Sequence, residues 1–98
     1  MAGFYPLFHT IDAFMVRRAY EQIYLDLGLQ RLPALLVSGG FNNDYQKLGP
    51  THHCPESKSM LRNIPGLMVL EPDNDEKVAT AIALACSSRS FAYIRLRG

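Results

Sequence analysis

Four short apolar runs alternate with three stretches of helical period, and that alternation narrows the folds open to this chain more than any other feature. The runs are FYPLFH (4–9), ALLVS (34–38), LMVL (67–70) and FAYIRL (91–96). ALLVS carries no polar residue before Ser38, as suits a strand covered on both faces. Pro6 stands near the start of the first run, where a strand tolerates a missing N–H. Between the runs lie helical signals. Ala13, Val16, Tyr20, Ile23, Tyr24 and Leu27 recur every three or four residues, which is one helical face. Asp12 is placed to cap that helix and Gly28 to end it. Pro55 opens a second helical stretch, ESKSMLRN, which Pro65-Gly66 closes. Asp73 has Glu76 three residues on, the spacing of a capping box. Val78, Ala81, Ile82 and Ala85 then form the buried stripe of a third helix, and Ser87 to Ser90 form a turn. Strands separated by helices cannot be hairpins. The order β-α-β-α-β-α-β therefore predicts an α/β fold, a three-layer parallel sheet with right-handed crossovers.

A chain of 98 residues has room for one small domain. Lys plus Arg is 10 against 9 for Asp plus Glu. Non-specific affinity for nucleic acid needs several unopposed cations, so no nucleic-acid partner is expected. No apolar run approaches the ~18 residues of a membrane span, and MAGFYPLFHT lacks the pattern of a secretory signal. The two cysteines, Cys54 and Cys86, form no CxxC and no disulfide framework, which predicts a reduced, cytoplasmic setting.

Ligands of open parallel sheets bind beyond the carboxyl ends of the strands. Those ends carry His9, Phe14, Arg17, Arg18, the loop GGFNNDYQKLGPTHHC (39–54), Glu71, Arg95 and Arg97. His52-His53-Cys54 invites a metal reading. Adjacent residues of an extended chain point in opposite directions, and no further ligand has zinc-type spacing, so no metal site is predicted. A nucleophilic Cys–His pair needs a third, orienting group that the sequence does not reveal. A histidine in this polar loop suits proton transfer or a hydrogen bond to substrate, or it is an ordinary surface histidine. Arg17 and Arg95 are suited to phosphate or carboxylate. Their plainer readings are a solvated helix face and a strand-end ion pair. Phe14 is core or a ring platform.

GPTHH (49–53), LRNIPGLMVLEPDND (61–75) and FAYIRLRG (91–98), preceded by PLFHTIDAFMVRRAYEQI (6–23) and LPALLVSGG (32–40), resemble the pyrimidine-binding domain of the transketolase family. The likeness is strongest to the branch that includes 1-deoxyxylulose-5-phosphate synthase, and it covers nearly the whole chain. It implies that residues 1–98 are a single partial domain of a thiamine-diphosphate-binding fold. The implied activity is transfer of a two-carbon ketol unit between sugar-like substrates, with the cofactor supplying the reactive carbon. Carried over position by position, Phe14 matches an aromatic that stacks on the aminopyrimidine, and Ile11 falls where a second aromatic usually stands. His52 matches a catalytic histidine that contacts substrate oxygens. Arg17 and Arg95 match positions that hold substrate phosphate.

Other family features are missing. The activating glutamate lies upstream of the segment matched here, and Glu21, in mid-helix, does not correspond to it. No GDG-type loop for diphosphate and magnesium is present. Leu48 replaces a substrate-binding aspartate, and Glu56-Ser57 replaces the usual Glu-Asp, with Ser57 still able to cap a helix. The resemblance thus implies thiamine diphosphate shared with a complementing chain. That partner would supply the glutamate and hold Mg2+, and a phosphorylated sugar or keto acid would be the substrate. The isolated chain is expected to be inactive and marginally stable, with an open sheet edge that invites pairing with another chain. The alternative is a non-catalytic fragment or interaction module that pairs with an intact transketolase-like subunit.

Overall fold

The computed structural model describes residues 4–40, 46–49 and 54–96. Its strands are β1 (Leu7–Ile11), β2 (Ala34–Gly39), β3 (Met68–Leu70) and β4 (Phe91–Arg95). Between β1 and β2 runs α1, π-wound over Phe14–Arg18, α-helical over Ala19–Gln22 and π-wound again over Ile23–Gly28. A 3-10 turn (Gln46–Leu48) and α2 (Ser57–Arg62) follow β2, and α3 (Asp75–Ser88) joins β3 to β4. The sheet order is β1-β2-β4-β3 and every pairing is parallel. The α/β expectation holds, with the first strand beginning after Pro6 and running past His9.

Topology follows from crossover handedness. The chain steps from β1 to β2, passes over the future place of β4 to β3, then returns to insert β4. Right-handed crossovers put helices on opposite faces when the direction reverses. Thus α1 and α2 share one face and α3 takes the other. On the first face Leu36, Phe91 and Tyr93 pack with Met15, Val16, Ile23, Leu61 and Ile64. On the second, Leu35, Val37, Ala92 and Ile94 meet Ala81 and Ala85. Residues 34–38 of β2 and all of β4 are buried, which is why their sequences read as apolar runs rather than alternations.

The winding of α1 has a sequence basis. Its buried and half-buried residues fall in two columns, Met15-Ala19-Ile23-Leu27 and Val16-Tyr20-Tyr24-Gly28. In a pure α-helix 3.6 residues complete a turn, so a four-residue column drifts around the axis. Wider π turns carry it back, and the columns run straight along the sheet.

Three local expectations are corrected and one is refined. Asp12 does not cap α1; its carboxylate is buried and bound by side chains of the sheet. The helix does stop at Gly28, as expected, but the left-handed residue comes later, at Arg31 with φ 57°. Gly28 also permits close packing, since a Cβ there would lie 3.1 Å from Ile64 and 3.2 Å from Pro65. The cap of α3 is Asn74, whose side chain accepts from the Lys77 N–H at 2.8 Å. Asp73 pairs with the Lys77 ammonium at 3.0 Å, which lowers its pKa. Finally, α3 runs to Ser88 and ends on Arg89 at φ 50°, so the turn is shorter than expected.

Candidate functional site

The carboxyl ends of the strands converge on a buried polar cluster. Asp12 follows β1 and is 1% exposed. Its Oδ1 accepts from the Ser38 hydroxyl of β2 at 3.0 Å and from the Tyr93 hydroxyl of β4 at 2.8 Å. Its Oδ2 lies 3.9 Å from the Arg95 guanidinium, an ion pair beyond hydrogen-bond range. Arg95 is 4% exposed; it donates to Ser57 Oγ at 2.8 Å and to Glu71 just past β3. One network therefore ties all four strand ends to the start of α2. Burial, with the negative charge of Asp12 adding to it, drives the Tyr93 phenol upward, so this hydroxyl stays a donor.

Beside this cluster, Arg17 of α1 pairs with Glu56 at the entrance to α2. The hydrogen bond from Arg17 holds the Glu56 carboxyl below the usual carboxylate range. Cys54 is buried next to them, and desolvation, then the Glu56 charge, pushes its thiol up to about 11. A thiol in that state is a poor nucleophile at neutral pH. Ser57 does not cap α2; it is buried and serves Arg95.

Phe14 is half-buried in the first turn of α1, with the Arg18 guanidinium 4.2 Å from its ring centroid. It lines an apolar groove of about 440 Å3 with Phe8, Thr10 and Met15, between α1 and the outer edge of β1. Ile11, half-buried at the end of β1, is in register with Gly39. That register puts it on the face packed by α3, away from the groove. Phe14 and Arg17 therefore share the α1 side, Arg95 lies beneath in the buried cluster, and Ile11 stands apart. His52 lies outside the described residues, as do Thr51 and His53. Glu21 is exposed on α1. No cluster of three or more metal-ligating side chains is found among the described residues. No helix there is long and apolar enough to cross a membrane.

Asp12, Ser38, Ser57, Glu71 and Tyr93 were not singled out for this cluster from sequence. A signal existed. An arginine inside an otherwise apolar strand must be paired if it is buried, and Asp12 and Glu71 are acids immediately following other strands.

An open parallel sheet with a polar cluster at its strand ends and an aromatic-lined groove along the β1 edge defines an open α/β domain, the class whose ligands bind beyond the strand ends. Residues 1–97 match the family model for the transketolase pyrimidine-binding domain. The chain belongs to that family, whose enzymes depend on thiamine diphosphate. It is 30% identical over 96 residues to an uncharacterized 33.6 kDa protein of the fasciation locus of Rhodococcoides fascians, covering 98% of this chain and 31% of that one. It is 34% identical over 87 residues to 1-deoxy-D-xylulose-5-phosphate synthase 1 of Geobacter sulfurreducens, covering 87% and 13%. A 6-deoxy-6-sulfo-D-fructose transketolase subunit of a Clostridium species is 31% identical, covering 96% and 29%. Among solved structures, a split-gene transketolase, an inactive beta4 tetramer, superposes with a TM-score of 0.82 at 21% identity, covering 97% of this chain and 30% of that one. The chain spans less than a third of the length of each of these relatives.

Proposed function

We propose that residues 1–98 are one partial domain and form the pyrimidine side of a thiamine diphosphate site in a transketolase-type transferase. The enzyme moves a two-carbon ketol unit between sugar-like substrates and works only beside a complementing chain. The carrying observation is the family match over residues 1–97 together with Phe14 at the strand-end mouth of an apolar groove that runs between α1 and the outer edge of β1. The fit to the cofactor is partial. Phe14 offers an aromatic wall for a flat ring, in a groove lined mostly by apolar side chains. The Arg18 cation over the Phe14 ring must swing aside if both faces are to be used, and Ile11, on the opposite face of the sheet, leaves Phe14 as the contact with the ring on this side. When bound, thiamine diphosphate supplies the carbon nucleophile. The chain's own residues orient it and meet the substrate: His52 hydrogen-bonds substrate oxygens near the reacting carbon, and Arg17 takes a substrate phosphate by exchanging its bond to Glu56. Arg95, also matched to a phosphate position, acts from below by fixing Glu71 and Ser57. The glutamate and the Mg2+ come from the complementing chain, an arrangement supported by the relative that is itself named a transketolase subunit.

A second reading, an interaction module without turnover, is favoured by the internal pairing of Arg95, which leaves one phosphate cation fewer at the surface. Calorimetry separates the two when the chain is mixed with a transketolase-type subunit carrying the diphosphate domain. The enzyme reading expects no measurable thiamine diphosphate affinity for the chain alone, Mg2+-dependent binding for the mixture, and ketol transfer. In the mixture, His52→Ala lowers turnover and leaves cofactor binding nearly intact. Tight binding by the chain alone, or a complex that binds cofactor without turnover, contradicts the enzyme reading.

A further inference from the structure

A cavity of about 570 Å3 opens at the amino ends of β2 and β4, the ends of the sheet opposite Phe14 and Arg17. Ala34 and Phe91 are register partners there, so the residues leading into the two strands stand side by side. Leu32, Pro33, Pro65 and Phe91 give the cavity apolar walls, and Arg31 and Arg89 line it as well. Among the described residues no acid borders it.

Both arginines sit in the left-handed region, Arg31 at φ 57° and Arg89 at φ 50°. Glycine is the ordinary residue where a helix runs into such a turn, because a Cβ is strained there. Here α1 and α3 each lead into an arginine instead, and both arginines border one cavity. Cations at a helix carboxyl end can serve the last carbonyls, but several of these are already taken. The Gly28 carbonyl accepts from the Arg31 N–H at 3.2 Å, that of Leu27 from Leu32 at 3.0 Å and that of Ala85 from Ser90 at 3.2 Å. The exposed Arg31 guanidinium makes no hydrogen bond or ion pair among the described residues. Arg89 donates to the Phe4 carbonyl at 2.7 Å and lies 5.8 Å from the Tyr5 ring centroid. Neither partner carries a countercharge, and a guanidinium has further donors to offer.

Charge then selects the ligand. Each helix carboxyl end carries roughly half a negative charge. Two such ends offset about one of the two guanidinium charges, which leaves about one positive charge to be met. A carboxylate, singly charged at neutral pH, matches that better than a phosphate dianion. It is also a planar partner that a guanidinium fork bonds through two parallel N–H groups. The prolines, Leu32 and Phe91 suit an apolar body attached to it.

We propose that this cavity binds a small organic carboxylate with an apolar or aromatic body, its carboxylate held between Arg31 and Arg89. The site needs neither thiamine diphosphate nor a complementing chain, so its failure leaves the proposed function standing.

Amide NMR of the full chain, titrated with sodium benzoate at fixed ionic strength and neutral pH, tests it. Benzoate shifts the amide signals of Leu32, Gly66 and Phe91, all at the cavity, along one saturable curve. Acetate, which lacks the ring, and benzyl alcohol, which lacks the charge, bind about tenfold more weakly or worse. Phenyl phosphate, mostly a dianion at this pH, binds no tighter than benzoate. Arg31→Gly weakens benzoate about tenfold, the worth of a charged hydrogen bond. The same change raises the urea midpoint, because glycine relieves the left-handed turn, so the loss of binding is not a loss of fold. Arg31→Lys keeps the charge without the fork and falls between. Arg62→Gln, which removes an exposed cation of α2, leaves binding unchanged. No saturable shift, equal affinity for acetate and benzoate, tighter binding of phenyl phosphate, or an Arg31→Gly chain that binds benzoate like the wild type overturns the proposal. So do shifts confined to the Phe14 groove.

Discussion

Cys54 shows how the surroundings of one side chain decide its chemistry. A thiol next to two histidines in sequence suggests a nucleophile or a ligand, yet the structure buries Cys54 and puts Glu56 beside it. Both effects resist ionisation and outweigh the opposing Arg17 charge. The sign of the pH dependence follows. An unfolded thiol ionises near its ordinary value of 9.0, whereas the folded one holds its proton up to about 11. Between those values the unfolded chain releases a proton that the folded chain keeps, so stability falls as pH rises through this window and the contribution is complete below it. Cys86, by contrast, is exposed. At pH 8 a thiol reagent should therefore modify Cys86 rapidly and Cys54 only as fast as the protein opens. Mass spectrometry after brief labelling should find a single adduct on Cys86; two equally fast adducts would show that Cys54 is accessible and ionisable.

At the scale of elements, what was legible was whatever local chemistry decides. The buried strands announced themselves because β2 and β4 are apolar on both faces, and the stripe of α3 because Ala81 and Ala85 face the sheet. Caps were harder, since Asp73 and Asn74 are both good cap residues and stand side by side. Asp73 had the capping-box spacing, but Asn74 has the extended backbone and the bond to the Lys77 N–H. Asn74→Ala should accordingly cost about 1 kcal/mol, and Asp73→Ala, which breaks only a solvent-exposed pair, should cost less. Urea midpoints at neutral pH measure both, and the reverse ranking would return the cap to Asp73. The π winding of α1 was not legible, because a four-residue repeat fits α-helix nearly as well until the helix is laid on a sheet. The partners of Arg95 were equally hidden. Glu71 and Ser57 lie 24 and 38 residues away, and only the topology brings them together. The family resemblance named Phe14, Ile11 and Arg17 together without revealing that Ile11 falls on the other face of the sheet from α1.

For the molecule as a whole, the polar cluster is where the sheet is most vulnerable. Parallel strands are joined only through crossovers, so nothing local holds their carboxyl ends in register. Here Asp12 does so across β1, β2 and β4, while Arg95 extends the link to β3 and α2. Removing the Asp12 carboxylate strands two buried hydroxyl donors and takes one countercharge from a buried guanidinium. Breaking a buried pair from one side costs on the order of 3 kcal/mol or more, a large part of the roughly 5–15 kcal/mol that domains possess. Asp12→Ala should therefore lower the urea midpoint far more than Asp12→Asn, whose carbonyl oxygen still accepts from Ser38 or Tyr93. The double variant Asp12→Ala/Arg95→Met should recover part of the loss, since the buried guanidinium that lost a countercharge is then gone and the carboxylate it leaves, Glu71, lies where water can reach it. If Asp12→Ala is no more harmful than an exposed substitution, or if Arg95→Met only adds its own cost, the cluster is not what aligns the strands. The register of the sheet would then rest on the apolar layers above and below it.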